Sequence, residues 1–407
     1  MHVLIIAQYF PPDMGGGATR AYNVAKGLVL NGCRVTVVSA FPHYPEGNIP
    51  KEYRWKPLKV EFKNGLKIIR TLVPPLPSKG LVYRFALIAS FLISSLFALP
   101  IIGKVDIIWA ANPNILSIIP AMIYGLIKRC PITLNVDDLW PEDMYSLNLI
   151  RKNSLVAKIA ELLARMAYHK AKAITPISPG YLTVISGRYH VSPNKIHIVR
   201  AGVDTSKFKL MNVDSDSNGF FRVLYSGAFS VAYDFDQVLM AARLLERERV
   251  EFILQGGGEL LNDIKNKVKE LNLKNVRIID RILSREEVAE LLNTANALIL
   301  PLKDFGRPYL GISSKLYEYQ AVGKPIICCA IGQPARYIEE TGSGIVVKPG
   351  DSKAIAKAVL YLKQNEKERK RLGENGKKYV LENLRIEKIG ETMRVVLEKS
   401  IIHGKIK

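Results

Sequence analysis

The strongest constraint on the fold is a supersecondary unit that occurs twice in the chain. Near the start an apolar run, HVLIIAQYF, precedes the glycine loop PPDMGGGATR, a helical pattern and a second apolar run, CRVTVVSA. Near residue 222 the pattern begins again with FRVLYSG, a helical stretch and VEFILQGGG. Strand, glycine loop, helix and strand form the unit of a parallel, doubly wound sheet. The chain is therefore predicted to be α/β, with two Rossmann-like domains facing a cleft.

Length and a polar link indicate the domain boundaries. A chain of 407 residues is longer than one hydrophobic core ordinarily supports, so two domains are expected. The turn-rich stretch NVDSDSNG lies within 200–220 and indicates the link. We assign 1–205 to the first domain and 206–384 to the second. The helical stretch 385–407 is expected to cross back onto the first domain.

Motif spacing argues against several classes of protein. The four cysteines show no CxxC or Cys/His spacing, and the adjacent Cys328 and Cys329 in an apolar run suggest buried thiols in a reducing compartment. The N-terminal residues lack a basic segment and a cleavage site, so no signal peptide is expected. GxGxxG with a following ribose-binding acid is missing, which argues against a nicotinamide enzyme.

The charge of the chain is uneven. The formal net charge is +21, and residues 1–200 hold 24 of the 58 basic residues but only 10 of the 37 acidic ones. This excess includes the run at 51–67 and favours an anionic membrane surface or nucleic acid, with a solvated basic loop as the alternative. Because the basic runs lack regular aromatic interleaving, no nucleic-acid partner is expected.

The uncharged segment 85–103 is long enough to span a bilayer. Strand-like runs on both sides of it look like parts of one sheet, and a span would separate them across the membrane. We therefore predict a buried helix, or a helix whose apolar face lies in the membrane interface.

Ligands of such sheets bind beyond the carboxyl ends of the strands, so loops 11–20, 137–143 and 303–318 are the candidate site. The glycine loop lets backbone amides approach a phosphate or a sugar. In VDDLWPEDM, four acids directly follow an apolar strand. An acidic loop capping the next helix, or a metal site, are the alternatives for this cluster.

The stretch GISSKLYEYQAVGKP follows the apolar strand ALILPL. Serine hydroxyls, backbone amides and Lys315 at a helix start suit a pyrophosphate. Glu318, one turn further, can accept hydrogen bonds from a ribose diol. The alternative is a serine helix cap with Glu318 completing a capping box.

These motifs, with FPHYPEG, ITPISPG, AGVDTSKF and GSGIVVKPGD in the same order, resemble family-four glycosyltransferases of the GT-B fold. HYPEG and DLWPE are most similar to the branch that includes N-acetyl-fucosaminyl transferases of surface polysaccharide assembly. The resemblance implies retaining, metal-independent transfer from a nucleotide-diphosphate sugar, with a UDP-sugar expected and no cofactor. The donor is then expected mainly on the second domain and the acceptor on the first.

The resemblance also implies roles for individual residues. Glu318 matches the glutamate that holds the ribose, and Asp138, with Asp137 as second choice, matches the acidic position that contacts the transferred sugar or the acceptor. The pattern has Ala228 and Tyr233 where the family carries Arg and Lys, so other cations are expected to meet the diphosphate. The remaining donor-side residues are Gly16, Gly17, Gly227, Arg281, Lys303, Arg307, Ser313, Ser314, Lys315 and Leu316. On the acceptor side we expect Arg20, His43 and Glu142.

Acceptors in this branch are often sugars linked to polyprenyl diphosphate. A basic first domain with an apolar helix suits such a substrate, so we expect a cytoplasmic protein held peripherally on the inner face of the cell membrane. Two other functions stay open. A GT-B UDP-sugar epimerase needs an acid and histidine constellation, and the six histidines are scattered. A catalytically silent homologue that binds nucleotide or nucleic acid is the second.

Overall fold

The structure is a computed structural model that describes residues 1–44, 47–54, 56–76, 81–111, 115–146, 150–211, 219–306 and 308–405. The chain forms two compact units. Unit 1 comprises Met1–Gly202 and Ile386–Lys407, and unit 2 comprises Val203–Arg385. The sequence predicts the corresponding boundaries at 205/206 and 384/385, and the polar link at 212–218 lies outside the described residues.

The strands fall into one sheet per unit. The strands of unit 1 are β1 (His2–Ile6), β2 (Arg34–Ala40), β3 (Leu58–Lys63), β4 (Leu66–Thr71), β5 (Ile107–Ala110), β6 (Ile132–Val136) and β7 (Ala173–Pro176). Those of unit 2 are β8 (Phe221–Ser226), β9 (Val250–Gln255), β10 (Val276–Ile279), β11 (Ala297–Pro301), β12 (Ile326–Cys329) and β13 (Gly344–Val347).

The α-helices alternate with these strands. In unit 1 they are α1 (Gly16–Leu30), α2 (Leu81–Ser95), α3 (Ile118–Lys128), α4 (Glu142–Ser146), α5 (Leu155–Lys170) and α6 (Gly180–Thr183). In unit 2 they are α7 (Asp236–Leu244), α8 (Leu261–Glu270), α9 (Arg285–Asn293), α10 (Lys315–Ala321), α11 (Gln333–Thr341), α12 (Ser352–Gln364) and α13 (Glu366–Asn383). The last helix, α14 (Ile386–Lys405), belongs to unit 1.

Both sheets have the doubly wound arrangement. In unit 1 the strand order is β3-β4-β2-β1-β5-β6-β7, and in unit 2 it is β10-β9-β8-β11-β12-β13. All neighbours are parallel except β3 and β4. Strands β1, β5, β7, β11 and β12 are wholly buried, and β2, β4, β6, β8 and β9 are buried at every residue but one, which is typical of parallel sheets covered by helices. The predicted α/β class with two parallel-sheet domains is confirmed.

The basic run at 51–67 is mainly a β-hairpin rather than a loop. Strands β3 and β4 pair antiparallel across Asn64 and Gly65, whose φ angles are 52° and 77°. Asn-Gly with two positive φ angles is the two-residue turn that suits the twist of a hairpin. The alternating Lys, Val and Phe residues of β3 form the edge of the sheet, where Phe62 is exposed. The sequence therefore predicts the charge of this region correctly but misses its structure.

The segment 85–103 forms most of α2 and the 3₁₀ helix Leu96–Ile101. Strand β1 pairs with β2, before this segment, and with β5, after it, so the flanking strands belong to one sheet as predicted. None of the helices within the described residues has the length and apolar character that a membrane crossing requires.

Helix α14 returns to unit 1 and packs along α1 through paired glycines. A Cβ atom on Gly27 would lie 2.4 Å from the carbonyl oxygen of Ile386, and one on Gly390 would lie 2.2 Å from the carbonyl group of Gly27. The two backbones therefore touch where the helices cross, and any side chain there would separate them. Met393 and Leu397 of α14 are fully buried. The end of the chain is thus an integral layer of unit 1.

Candidate active site

The strand order places the candidate site of each unit. In unit 1 the order reverses between β1 and β5, and in unit 2 it reverses between β8 and β11. Ligands of open parallel sheets bind beyond the carboxyl ends of the strands at such a reversal. The loop after β8 is fixed there, because the amide of Asp234 donates to the carbonyl of Pro301 at the end of β11 over 2.9 Å.

In unit 1, the glycine loop leads directly into α1. Gly15 precedes the helix with a φ of 113°, and Gly16 and Gly17 form its first turn. A Cβ atom on Gly16 would meet nothing within 4 Å, so packing among the described residues does not require glycine there. The N-cap residue, Gly15, has no side chain that could accept from the first-turn amides. The first-turn amides are therefore accessible to a ligand, which agrees with the predicted role of this loop.

Arg20, in the second turn of α1, lies at the centre of a buried charge network. Its Nε atom is 3.0 Å from Asp137 Oδ1 and donates to Asn135 Oδ1 over 3.0 Å, and its Nη2 donates to the same Asn135 oxygen over 2.9 Å. Arg20 and Asn135 are almost completely buried, and the Asp137 side chain is 10% exposed. The network joins α1 to the end of β6 and compensates the charge of Asp137 inside the protein.

The two consecutive aspartates differ in their surroundings. Burial raises the pKa of Asp137 to about 6, against the opposing effects of the Arg20 guanidinium and the Asn135 side chain. Asp138 is exposed, and within the described part of the chain it has neither a hydrogen bond nor an ion pair. Partial loss of hydration, together with the negative charges of Asp137 and Asp143, raises the pKa of Asp138. Because Asp138 is exposed, its access to solvent limits the contribution from lost hydration. Asp138 is thus the carboxylate available to a ligand.

The other acids of this cluster serve the local structure. Asp143, in the first turn of α4, accepts the amide of Leu139 at its Oδ2 over 2.7 Å, so it ties the preceding loop to the helix. Glu142 is predicted to lie on the acceptor side. Its Oε1 accepts the hydroxyl of Tyr189 over 2.8 Å and lies 3.2 Å from Arg188 Nη1. These contacts hold α4 against a later segment, and an acceptor role for Glu142 stays a prediction.

His43 lies after β2 in a buried position. Its Nδ1 is 2.7 Å from the carbonyl oxygen of Phe41, so this nitrogen carries the proton, and its ring stacks on Tyr9. The backbone amides of His43 and Tyr44 both donate to Asp13 Oδ1 over 2.8 Å. Asp13, which the sequence does not single out, thereby ties the loop after β2 to the glycine loop. Burial raises the pKa of Asp13 despite the opposing effects of His43 and these amides.

In unit 2, Lys315 crosses the end of β8. A Cβ atom on Gly227 would lie 2.1 Å from Lys315 Cε, so only glycine lets the lysine side chain pass there. The Nζ atom forms no ion pair with a carboxylate among the described residues. It donates to the hydroxyl of Tyr233 over 3.0 Å and lies 5.1 Å from the centre of that ring. Lys315, Gly227 and Tyr233 thus form a half-buried cationic cluster whose protein partners are neutral.

The Lys315 ammonium affects the pKa of Tyr233. Burial alone would raise its pKa, but the Lys315 ammonium and hydrogen bonds from Lys315, Ser313 and Tyr225 outweigh that effect, so the pKa of Tyr233 is lowered. Tyr233 occupies the position where the family pattern carries a lysine. The cation of this cluster therefore comes from α10 instead of from the loop after β8.

The capping-box alternative for this stretch is wrong. Ser314 precedes α10 but its side chain makes no capping hydrogen bond. Glu318 instead accepts a hydrogen bond from Arg285 Nη2 at 2.6 Å, and the Arg285 guanidinium lies 4.5 Å over the ring of Phe208. The Ser314 hydroxyl and the Glu318 carboxylate therefore do not cap α10.

Arg285 is the functional candidate that the sequence misses in unit 2. It follows Ser284, whose side chain forms a true capping box with Glu287 at the start of α9. Only the fold brings it to Glu318, so no local pattern predicts this pair. The Glu318 side chain is 12% exposed, and Arg285 fixes one of its oxygens.

The remaining predicted donor residues are less closely grouped. Arg281 is largely exposed and lies 3.5 Å from Glu287 at the start of α9. Lys303 is exposed and follows β11, whereas Leu316 is completely buried and serves the core. Arg307 lies outside the described residues. Across the described ranges, no group of three His, Cys, Asp or Glu side chains is arranged to hold a metal ion.

The fold has a doubly wound parallel sheet in each of two units, and comparisons with known proteins give the family. Residues 14–207 match the model of Glycosyltransferase Family 4, and residues 209–379 match that of Glycosyl transferases group 1. Together the two models cover most of the chain, which belongs to glycosyltransferase family 4 and has the GT-B fold.

Individual relatives are more distant. The chain is 30% identical to the O-antigen chain mannosyltransferase C of Escherichia coli over 156 residues, which cover 38% of this chain and 40% of that relative. Among solved structures it is similar to the sucrose-phosphate synthase of Thermosynechococcus elongatus, with a TM-score of 0.78 at 17% identity over 99% of this chain and 100% of that one. It is also similar to HepE of Anabaena in complex with UDP-glucose, with a TM-score of 0.69 at 15% identity over 98% and 100% of the two chains.

Proposed function

We propose that the protein transfers a sugar, with retention of configuration and without a metal ion, from a nucleotide-diphosphate donor to a membrane-held acceptor. The donor is a UDP-sugar, bound by unit 2. The acceptor is a polyprenyl-linked or other lipid-linked glycan, bound by unit 1. The reaction belongs to the assembly of a surface polysaccharide or of a glycoprotein glycan.

The observation that carries this proposal is the position of Lys315. A half-buried ammonium group that meets only neutral partners in the described structure is suited to an anion from outside the protein. It lies at the reversal of the strand order, where the ligand of such a sheet is expected. The diphosphate leaves with increased negative charge, so a fixed cation there stabilises the transition state.

Two further features support a nucleoside diphosphate. Glu318, close to the start of the same helix, offers a carboxylate oxygen to the ribose hydroxyls while Arg285 holds the other end of the group. The relative HepE was solved with UDP-glucose, and the resemblance to family four implies the same class of donor. The retaining stereochemistry and the independence from metal rest on that resemblance.

The acceptor side of the proposal rests on unit 1. Asp138 is exposed and unpaired in the described structure, so it can accept a hydrogen bond from a sugar or acceptor hydroxyl. Asp137, Arg20 and Asn135 hold the end of β6 in place beneath it. In this proposal Asp138 contacts the substrate, and the buried network positions it.

A membrane location completes the proposal. The relative from Escherichia coli is named for the O-antigen chain. Lys67 of the β3–β4 hairpin donates to the carbonyl of Ile101 over 3.1 Å, so the basic hairpin adjoins the end of the apolar segment 85–103. We propose that this combination lies on the inner, cytoplasmic face of the cell membrane, where an anionic lipid surface meets both features.

Thermal unfolding with added nucleotides tests the donor assignment. Wild-type protein is heated with UDP, GDP, ADP or CMP, beside Glu318→Ala and a matched control, Glu340→Ala, at an exposed position of α11. A ligand present at one hundred times its Kd stabilises the folded state by about 2.7 kcal/mol. We expect stabilisation by UDP, its loss in Glu318→Ala and its retention in Glu340→Ala.

Other outcomes have definite meanings. Stabilisation by GDP or ADP instead of UDP would support a glycosyltransferase but contradict the assignment of a UDP-sugar as its donor. No stabilisation by any nucleotide would make a catalytically silent homologue the better function. If UDP binds, incubation of UDP-sugars with membrane extracts, followed by analysis of the anomeric configuration of the product, tests the transfer and its stereochemistry.

A further inference from the structure

One helical layer of unit 1 exposes apolar side chains from three adjacent helices. Helix α2 packs against α3, and the 3₁₀ turn Ile115–Ser117 before α3 contacts both α2 and α5. The crossovers β4–β5, β5–β6 and β6–β7 all run in the same direction along the sheet. Because such crossovers are right-handed, α2, α3 and α5 cover one face of the sheet, and α1, whose crossover runs the other way, covers the opposite face.

The outward side of α3 is entirely apolar. Leu126 is 81% exposed and Ile127 is 54% exposed, and Ile123 lies on the same side of the helix three and four residues earlier. Helix α3 faces the sheet with Ala121, Tyr124 and Gly125 instead. The exposed residues are therefore the side that a soluble helix normally makes polar.

Helix α5 repeats this arrangement. Its buried side consists of alanines at positions 157, 160, 164 and 167, together with Tyr168. Leu155, Ile159 and Leu162 are 74%, 51% and 66% exposed and follow a helical spacing of four and three residues. Small residues thus face the sheet while large aliphatic ones face outward, the reverse of the usual burial.

We name these six side chains the α3/α5 surface: Ile123, Leu126, Ile127, Leu155, Ile159 and Leu162. Helix α2 extends it, because Phe85 and Ile93 are 66% and 65% exposed. Single exposed apolar residues are ordinary, but a set of eight on three helices of one layer marks an interaction site.

The charge around this surface indicates its partner. Helices α2 and α3 contain no acidic residue in the sequence, and Glu161, the acid of α5, is engaged by Tyr145 and Arg188. Exposed Arg129, Lys158 and Arg165 border the apolar side chains. Two copies of the chain meeting through this surface would bring like charges together. An apolar surface with a basic border fits the headgroup and acyl boundary of an anionic bilayer instead.

We infer that the α3/α5 surface is a lipid-docking face, by which unit 1 lies with this helical layer on an anionic membrane. The inference rests on the proposed function insofar as that function keeps the acceptor in the membrane. It goes further by naming α3 and α5, which lie outside 51–67 and 85–103. Docking here buries aliphatic side chains in addition to pairing charges, so raised salt should weaken it only in part.

Vesicle flotation of the full chain tests this inference. The vesicles contain phosphatidylcholine alone or mixed equally with phosphatidylglycerol. The variants are Leu126→Gln with Ile127→Gln on α3, and Ile159→Gln with Leu162→Gln on α5. The matched control is Met240→Gln with Leu244→Gln, two similarly exposed apolar residues of α7 in unit 2. A cooperative thermal unfolding transition like that of the wild type, measured without nucleotide, shows that each variant is folded.

We expect the wild type and the α7 control to float with the anionic vesicles and to bind neutral ones less. Each surface pair should lower the partition coefficient at least about tenfold, since burying one aliphatic side chain is worth about that factor or more. Failure of the wild type to bind anionic vesicles would overturn the inference, as would surface variants that bind like the control. Light scattering that shows a dimer, abolished by the same variants, would overturn it in favour of self-association.

The outcomes separate the two proposals. If the protein binds vesicles but no nucleotide stabilises it, the inference of a lipid-docking face is supported and the proposed UDP-sugar donor is contradicted. Nucleotide stabilisation without vesicle binding does the opposite.

Discussion

The buried charges at the strand ends of the two units have different partners. In unit 1 the buried Arg20 meets Asp137 at 3.0 Å, so the cation and the anion compensate each other within the protein. In unit 2 the half-buried Lys315 meets the neutral hydroxyl of Tyr233 at the same distance. At the strand ends of unit 1 the two charges compensate each other, although neither Asp137 oxygen accepts a hydrogen bond within the described residues. At those of unit 2 the cation has only neutral partners among the described residues.

This difference separates a positioning role from a binding role. Removing one member of a compensated buried pair leaves an uncompensated charge, so its main effect should be on stability. Removing a cation whose partners are neutral costs the protein little and costs an anionic ligand much. Four substitutions at these strand ends test whether the two roles are separate.

Substituting Arg20 by Leu should lower the free energy of unfolding of unit 1 by about 3–5 kcal/mol, because Asp137 is left buried without its cation. All three tryptophans of the chain, at 55, 109 and 140, lie in the segment of unit 1 that precedes unit 2, so tryptophan fluorescence during urea unfolding follows this unit. The double variant Arg20→Leu, Asp137→Leu should recover a large part of the loss. A loss below about 1 kcal/mol in the single variant would contradict the view of a compensated network.

The pH dependence of Asp137 gives the next effect. Burial raises its pKa from 3.8 to about 6 in the folded protein, so between these values the folded state binds the proton more tightly than the unfolded state. This carboxyl group therefore lowers stability progressively as the pH rises through that window. The variant Asp137→Asn lacks this dependence. From pH 4 to pH 7 its unfolding free energy, relative to that of the wild type, should rise by up to about 3 kcal/mol. An equal pH profile for both proteins would exclude a raised pKa.

Substituting Lys315 by Ala should weaken UDP binding about ten- to a hundredfold, the effect of losing a charge-assisted hydrogen bond of about 1.5–3 kcal/mol. Titration calorimetry with UDP and with uridine measures this effect, and the loss should be much larger for UDP. Lys357→Ala, an exposed lysine of α12, is the matched control. If Lys315→Ala instead destabilised unit 2 and bound UDP normally, Lys315 would have a structural role like that of Arg20, and the difference between the strand ends of the two units would be contradicted.

Arg285→Ala should produce the smallest change, because the Arg285 side chain is 42% exposed and its ion pair with Glu318 is partly screened. We expect UDP affinity to fall by less than about tenfold. The preference for UDP over 2′-deoxy-UDP should fall with it, since Glu318 is no longer held. Rescue of this preference by Arg285→Lys would support a positioning role, whereas an unchanged preference would assign the pair to structure alone.

Local sequence predicts one part of this molecule well. Apolar runs ended by glycines, such as the strand before Gly227, predict most of the parallel strands, because a buried parallel strand needs continuous apolar residues. The placement of Glu318, Lys315 and Asp138 at strand ends follows from the same rule. The family resemblance then supplies their proposed roles.

The contacts that fix these residues are not local. Arg20 meets Asn135 at a separation of 115 residues, and Arg285 meets Glu318 at a separation of 33. Serine and glutamate occur at the starts of both α9 and α10, but only Ser284 and Glu287 have the three-residue spacing of a capping box and form one. Ser314 and Glu318 are four residues apart, and the Ser314 side chain makes no capping hydrogen bond. The sequence misses the basic hairpin β3–β4 for another reason. The many charged residues of this stretch suggest a solvated loop, and only the Asn64–Gly65 turn indicates two paired strands.

The crossing of α14 and α1 at Gly390 and Gly27 has a consequence for how the molecule is made. Unit 2 is inserted, along the chain, between the first part of unit 1 and its last helix. On the ribosome, every residue of unit 2 is synthesised before α14 exists, so α1 keeps an uncovered flank until Met393 and Leu397 arrive. The domain that is started first is therefore finished last, and a fusion or truncation at the end of the chain acts on the domain at its beginning.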